Sequence, residues 1–593
     1  MQNVSQEWKD NQKELLVSES EIELSMRITD PDAYEDASAS SDNEMSFAQT
    51  EDIVSGVDYV MTPTLTLEQN LWLLDGSGKV LDTNNNGTNR YISSNRSGLD
   101  KTFTTIPTIS IGFSQVFTNL LQGITIVWST LWDEYAEEFV VTAYNGDTVV
   151  ATKTVTDNTS TKSIVYMDIA NYDRITIEIK RWSLSYRRAR IEEVVIGIDK
   201  SYRKTDLFSY SHSQSVDPLT TELPKVEVSF AISNLDNSYN PHNAQGLSKY
   251  LMERQEIKVK YGYKINDKVE WIDAGKVYLS EWDAPQDGMT AEFKASDLLE
   301  FMRKTYYGGM YYPDGISLYD LAVNVLTDAD LPLNNDGSVK WKIDESLKDI
   351  YTVAPLPIDT HANCLQLIAN AGECVIYQDR QGVLVIEHYV YTETDYSIDY
   401  SNSYSKSNIA LSKPIKDVSI GFYQYLVATE STELYKGTMN ISGTKELIVT
   451  YSESAANVSA TVSGGTLQSA TYYTNACKLT INASGTVTIT VTGKSLESAK
   501  TEIFVNNAES GETISVDNML ITNLDRANVL GEWVRSYYNN RMTLSSSWRA
   551  DPRLDVLDIV DNENDYGTSK VLMTEVKYDY NGAFKGSGEG KVI

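Results

Sequence analysis

Apolar and polar residues alternate with a period of two in one short run after another: TISIGFSQVF (108–117), KVEVSFAISN (225–234), QEIKVKYGYKI (255–265) and TVTITVTG (486–493). An extended backbone turns successive side chains to opposite faces, so such runs commit to half-buried strands. Turn pairs such as Asp75-Gly76 and Asn145-Gly146 punctuate them. The expected fold class is mainly β with an α+β domain. With 593 residues and about 150 residues per domain, roughly four domains are expected.

Hydrophobic residues make up 41% and charged residues 22%, enough apolar surface for several cores and too much for a disordered chain. The charge is 50 − 83 = −33, which argues against a surface that tracks nucleic-acid phosphates. No basic n-region followed by an apolar stretch opens the chain, and no apolar run of about 18 residues occurs, so the expectation is a protein made in the cytoplasm. Cys364, Cys374 and Cys477 are too few and too scattered for a disulfide framework and read as reduced thiols. Tyrosine is abundant, 38 residues against 12 Phe and 10 Trp, a usage that suits half-buried strands, subunit interfaces and sugar platforms alike.

Residues 15 to 30 read as a strand with Leu16, Ile22, Leu24 and Met26 interleaved with polar residues, and residues 1–31 together with 200–300 are expected to form a first barrel module. Residues 32–60 read as a linker. Residues 61–199 carry short strands with turn signals and read as an inserted β-sandwich of jelly-roll type. Residues 301–400 are α+β: Leu318, Leu321 and Val325 share a helix face, as do Leu365 and Ile368 before the Gly372 stop, and two strands follow. Residues 441–518 turn to Ser, Thr, Ala and Gly with alternating Val and Ile, and read as a small immunoglobulin-like insertion. Residues 401–440 and 519–593 flank it as a second barrel or closing domain, with Leu524, Ala527, Leu530, Val534 and Tyr537 on one helical face.

Catalytic signatures are scarce. Asp82-Thr-Asn84-Asn-Asn86-Gly87 matches the first half of a calcium loop, but position twelve is Ser93 where a bidentate glutamate belongs, so it reads as an Asn-rich turn. His361 and Cys364 lie one helical turn apart, a spacing that permits a Cys–His couple or two metal ligands; a helix-start histidine beside a buried thiol is the commoner arrangement. Walker A, GxSxG and GxGxxG units are absent as strand–turn–helix motifs. The expectation is no catalytic residue, no metal and no cofactor. Trp128-Ser-Thr-Leu-Trp132 is the more informative motif, because residues four apart in an extended strand face one side and could offer an aromatic platform to a sugar ring. Tyr135, Trp182, Tyr186 and Arg187, with Arg188 beside it, complete the candidate glycan site; the competing reading makes the tryptophans core residues.

The segment 229–302, with Asn234-Leu-Asp-Asn237, Tyr239-Asn-Pro241, Gly262-Tyr263 and the YLSEW strand, resembles the first barrel of phage tail-tip or baseplate hub proteins. CLQLIANAGECVIYQDRQGVLVI is similar to the α+β domain of these hubs, and LDVLDIVDNEN with VLMTEVKYDYNGAFKGSGEG to their closing domain. LEQNLWLLDGS, TFTTIPTISIGFSQVFTNL and YRRARIEEVVIGI look like the discoidin-like or carbohydrate-binding-like domain inserted in some of them. The resemblance implies a structural virion protein: a homotrimer at the tail tip whose two barrels per chain make six around the axis, closing the tail tube and adapting sixfold to threefold symmetry. Its implied partners are copies of itself, tail-tube and distal tail or baseplate proteins, the tape measure protein and a host cell-surface glycan, with DNA passing through an acidic lumen without specific binding. No peptidase or lysozyme segment follows the hub part. Two other readings stand beside this one: a host-surface receptor-binding, adhesin-like tail protein, and, more weakly, a cell-wall glycan hydrolase.

Overall fold

The alternating runs form strands whose partners lie far away along the chain. The structure is a computed structural model, and it describes every residue other than 15, 30, 57–58, 67, 69–70, 72–86, 119, 244–245, 249–250, 252–253, 267, 285–288, 334–337 and 389–392. It is mainly β, in several sheets, with a smaller α+β part. The calcium-like stretch 82–86 lies outside the described residues.

Ser20–Thr29 buries Ile22, Leu24, Met26 and Ile28 on one face and pairs antiparallel with Gly197–Arg203 on one side and Glu256–Ile265 on the other. Leu16, expected in the same strand, precedes it and is 90% exposed. The sheet continues through Lys268–Asp283, Thr290–Ser296, Lys225–Ser233 and Leu207–Ser215. Leu207–Ser215 then pairs with Gly567–Tyr580, and Phe584–Val592, Met542–Arg549 and Asn408–Leu411 follow. The two barrel modules, read as separate in the sequence, are therefore edge-to-edge parts of one sheet. They also share a core, because the aromatic rings on one half are long enough to reach the other: Phe584 sits 4.9 Å and Tyr578 5.9 Å, centroid to centroid, from Tyr261.

The linker and the immunoglobulin-like insertion need correction. Ser38–Ser40 pairs with Thr108–Phe117, and Ala33, Ala39, Ile53 and Val54 fill the sandwich core, so much of 32–60 belongs to the sandwich. Few apolar residues suffice there because each is wholly enclosed. The boundary at 441 falls inside a strand of 36 residues, Ile415–Thr450, which pairs with Ala476–Asn506 from Asp417↔Asn506 to Thr450↔Ala476. Ala455–Ser463 and Thr466–Tyr472 add to the far edge of Ala476–Asn506, around a distal core of Leu434, Ile441, Leu479 and Ile489. This is a long ribbon with a small lobe at its end, in one hydrogen-bonded sheet. Continuous alternation lets the strands run on through both parts, and residues 415–440 go with the ribbon rather than with the closing strands.

The base of the ribbon is clamped by the helix Leu524–Asn539, which buries Ala527, Leu530, Gly531 and Val534 against Ile420 and Val505. A Cβ on Gly531 would meet Val505 Cγ2 at 2.5 Å, so glycine permits the close approach. Leu524, the first helical residue, is half exposed and off the packed face. In the α+β part, Leu318–Asp328 and His361–Ala371 pack together, N-capped by Ser317 and Thr360, and Gly372 ends the second as expected. The sandwich places Ser38–Ser40, Thr108–Phe117, Tyr172–Trp182, Ala136–Asn145 and Thr148–Val155 in one sheet and Lys162–Ile169, Leu121–Val127 and Glu193–Val195 in another. Gly197–Arg203 carries the chain from it into the first sheet, across the expected boundary at 199.

Candidate functional site

Three loops, 97–107, 128–135 and 183–187, meet at one end of the sandwich. Ser97 N donates to Arg187 O (2.7 Å) and Tyr186 N to Ser97 O (3.1 Å), which joins the first loop to the third. Ser183 N donates to Tyr135 O at 2.8 Å, which joins the second to the third. The strand Leu121–Val127 ends before Trp128, and Ser129 and Glu134 exchange backbone hydrogen bonds of 3.1 and 3.0 Å across a tight turn. Trp128 to Trp132 is thus a strand end and a turn, with no shared face.

Trp128 and Trp182 are both fully buried. Trp128 packs edge-on against Phe139 (5.0 Å) and Trp182 (6.0 Å), and its Nε1 donates to Ser163 Oγ at 2.8 Å. Neither ring is available to a sugar; the competing core reading describes both. Arg187 is buried as well, its Nε 2.8 Å from Glu134 Oε1, while Trp182 Nε1 donates to Glu134 Oε2 at 2.8 Å. Of the six candidates, Trp132 and Tyr135 are half-buried and Tyr186 is 39% exposed, in the left-handed region at φ 62°. Leu99 and Leu184, exposed on the two linked loops, complete the apolar surface there.

Below the loops runs an ionic network that the sequence did not single out. Arg190 pairs with Glu68 and lies 3.9 Å from Glu134, and Arg188 N donates to Glu68 Oε1 at 2.6 Å. Desolvation pushes the Glu134 carboxyl above its usual range, partly offset by Trp182, Arg190 and Arg187. Desolvation acts the same way on Glu68, but the Arg190 charge and hydrogen bonds outweigh it and hold that carboxyl low. Removing one member of such a group leaves a buried charge unpaired, at about 3–5 kcal/mol. With 83 acids in the chain, the one usable signal was Arg190 itself, a cation set between Ala189 and Ile191.

The hub-like motif is well placed. Asn234 is fully buried, and its Oδ1 accepts from Tyr239 N at 3.0 Å while its own N donates to Met289 O. Tyr239 is pinned edge-on against Phe293 at 5.2 Å and belongs to the core that both halves of the sheet share. His361 and Cys364 do not form a couple: His361 Nδ1 lies 2.8 Å from Lys304 O and Nε2 2.8 Å from Asp328 Oδ2, whereas Cys364 Sγ faces Pro357 O at 3.8 Å. Burial pushes the Cys364 thiol up to about 12. Among the described residues no group of three or more His, Cys, Asp or Glu is arranged to hold a metal ion.

No protein-family model matches the chain, and no curated protein matches it. Among solved structures, it is similar to the 43 kDa tail protein of prophage MuSo2 from Shewanella oneidensis, with 11% identity and a TM-score of 0.39 over 66% of this chain and 95% of that one. It is also similar to a tail protein from Neisseria meningitidis MC58 (9% identity, TM-score 0.36, 66% and 93% covered). A third is prophage tail protein gp18 from Listeria monocytogenes EGD-e (9%, TM-score 0.35, 66% and 91%). All three of these structures are named as tail proteins, two of them from prophages.

Proposed function

We propose that the chain is a structural protein of a phage or phage-derived tail, a homotrimeric hub that closes the tail tube and adapts its sixfold symmetry to a threefold tip. The observation that carries this reading is the hub-like segment 229–302: its strands lie in one sheet with the closing strands, and Tyr239 of its motif is part of their common core. Two sheet halves from each of three chains would supply the six units of a ring. Tail-tube, distal tail or baseplate and tape measure proteins would be its neighbours in the virion. The solvent face of the strands around Lys225–Ser233 carries Glu227, Glu281, Asp283 and Glu292 against Lys225 and Lys294, an acidic excess that suits a lumen passing DNA without holding it. The test is the mass of the purified chain with electron microscopy: a species of three times 66.4 kDa forming a threefold ring supports the reading, and a chain that stays monomeric under tail-assembly conditions refutes it.

A second reading, attachment to a host-surface glycan, is favoured by one observation, the exposed Leu99, Leu184 and Tyr186 on hydrogen-bonded loops. Glycan-array binding that falls on Tyr186→Ala or Trp132→Ala supports it. Turnover of cell walls would instead favour a hydrolase.

A further inference from the structure

Two tight hairpin turns carry an asparagine followed by a glycine: Asn145-Gly146 between Ala136–Asn145 and Thr148–Val155, and Asn581-Gly582 between Gly567–Tyr580 and Phe584–Val592. A third such pair, Asn86-Gly87, begins outside the described residues. The dipeptide has a chemistry of its own. Glycine sets no side chain beside its backbone nitrogen, so that nitrogen can reach Cγ of the preceding asparagine in an intramolecular step. The nitrogen gives its proton to solvent base and bonds to Cγ, ammonia leaves, and a succinimide ring closes. Water then opens the ring at either carbonyl, which yields aspartate or isoaspartate, the latter with one extra methylene in the backbone.

The structure sets the two turns apart at the attacking atom. Gly146 N donates to Asp173 Oδ2 at 2.8 Å, and Arg174 Nη2, whose guanidinium stacks on Tyr144 at 4.6 Å, donates to Gly146 O at 3.0 Å. A hydrogen bond to a carboxylate is among the stronger ones, and this one must break before the nitrogen can attack. Gly582 N donates to no acceptor among the described residues, while its carbonyl oxygen accepts from Ser20 Oγ at 3.3 Å. Asn581 is exposed, and its side-chain amide makes no hydrogen bond among the described residues. Gly582 lies at φ 81° with open space where a Cβ would be.

From this contrast we propose that Asn581 is a modification site, which deamidates in the folded chain while Asn145, whose neighbouring nitrogen is tied to Asp173, is spared. Its position gives the change a consequence. Tyr580 OH donates to Ser20 O at 3.0 Å, and Phe584, beyond the turn, packs 4.8 Å from Tyr580 and 4.9 Å from Tyr261 in the core that both sheet halves share. Isoaspartate lengthens the turn between these two rings and loosens the hairpin where it meets Ser20–Thr29. The inference is independent of the tail reading.

Peptide mapping by mass spectrometry tests it, on the full chain stored at mildly alkaline pH and on the same chain kept in denaturant. In denaturant the two asparagines convert at similar rates. In the folded chain Asn581 converts to aspartate and isoaspartate about tenfold or more faster than Asn145, and Asp173→Ala speeds Asn145. The stored chain melts below the fresh one, whereas Asn581→Gln, which would have to close a larger ring, keeps its melting temperature. Conversion of Asn145 in the folded chain as fast as Asn581, or a folded Asn581 that stays intact while the denatured chain reacts, overturns the proposal. A folded Asp173→Ala chain in which Asn145 reacts no faster overturns the protective contact, and an unchanged melting temperature of converted protein overturns the consequence for the hairpin.

Discussion

Replacing Trp128 by alanine separates a core tryptophan from a sugar platform. The ring is 0% exposed and holds three partners: Phe139 at 5.0 Å, Trp182 at 6.0 Å and Ser163 Oγ at 2.8 Å from Nε1. Truncating a buried aromatic of this size costs about 3–5 kcal/mol through lost transfer energy and the cavity left behind. The two edge-on contacts, each worth about 0.5–1.5 kcal/mol, fall inside the upper part of that range because the terms are not additive. A loss of about 4 kcal/mol is a large share of the roughly 5–15 kcal/mol that holds a domain folded. Equilibrium denaturation followed by limited proteolysis of the sandwich is the assay. Trp132→Ala, on the turn and half-buried, should cost about 1 kcal/mol or less in the same experiment. A Trp128→Ala protein whose sandwich is destabilised by less than about 1 kcal/mol would refute the packing argument, most decisively if glycan binding vanished at the same time.

Three further outcomes are expected. His212, hydrogen-bonded through Nδ1 to Tyr261 OH at 2.8 Å, is held down to about 3 from 6.5, first by burial and then by the Arg380 charge. The unfolded chain therefore takes up the proton first, and this contribution, full above pH 6.5 and lost towards pH 3, shrinks by about 2 kcal/mol between pH 6.5 and 5; denaturation midpoints of His212→Gln should vary less over that window than those of the parent. Asp297, whose Oδ1 accepts from Leu299 N, is raised from 3.8 to about 7 by burial; its contribution is present at low pH and lost as pH rises through 7, so Asp297→Asn, which keeps the cap, should melt higher at pH 8 and no higher at pH 4. Cys364, Cys374 and Cys477 are buried, and desolvation raises all three thiols; the folded chain should resist iodoacetamide at pH 8, and mass spectrometry should find all three alkylated only after denaturation.

The elements were largely legible in the sequence. Alternation located Ser20–Thr29, Lys225–Ser233 and Glu256–Ile265, and helical spacing located Leu318–Asp328 and His361–Ala371 with its glycine stop. The candidate site was legible only as a neighbourhood. Tyr135, Trp182, Tyr186 and Arg187 do gather at one end of the sandwich with Trp128 and Trp132, yet three of the six are interior. A strand rule applied to Trp128–Trp132 placed two rings on one face, whereas the strand had ended at Val127 and a turn closed by Ser129 and Glu134 sent them apart. Element ends are set by a few local hydrogen bonds that alternation does not report.

The sequence by itself determined the mainly β character and which side of each strand is apolar, because those depend on neighbours one or two residues away. Only the tertiary structure decided which edges meet. Leu207–Ser215 pairs with Gly567–Tyr580, and Ser20–Thr29 with strands near residues 200 and 260. It also decided that Glu134 meets Trp182 and Arg187. A period of two specifies a face and leaves the partner open, since every half-buried strand offers the same row of donors and acceptors; choice among partners rests on the fit of large rings such as Tyr261, Tyr578 and Phe584 once the chain has closed.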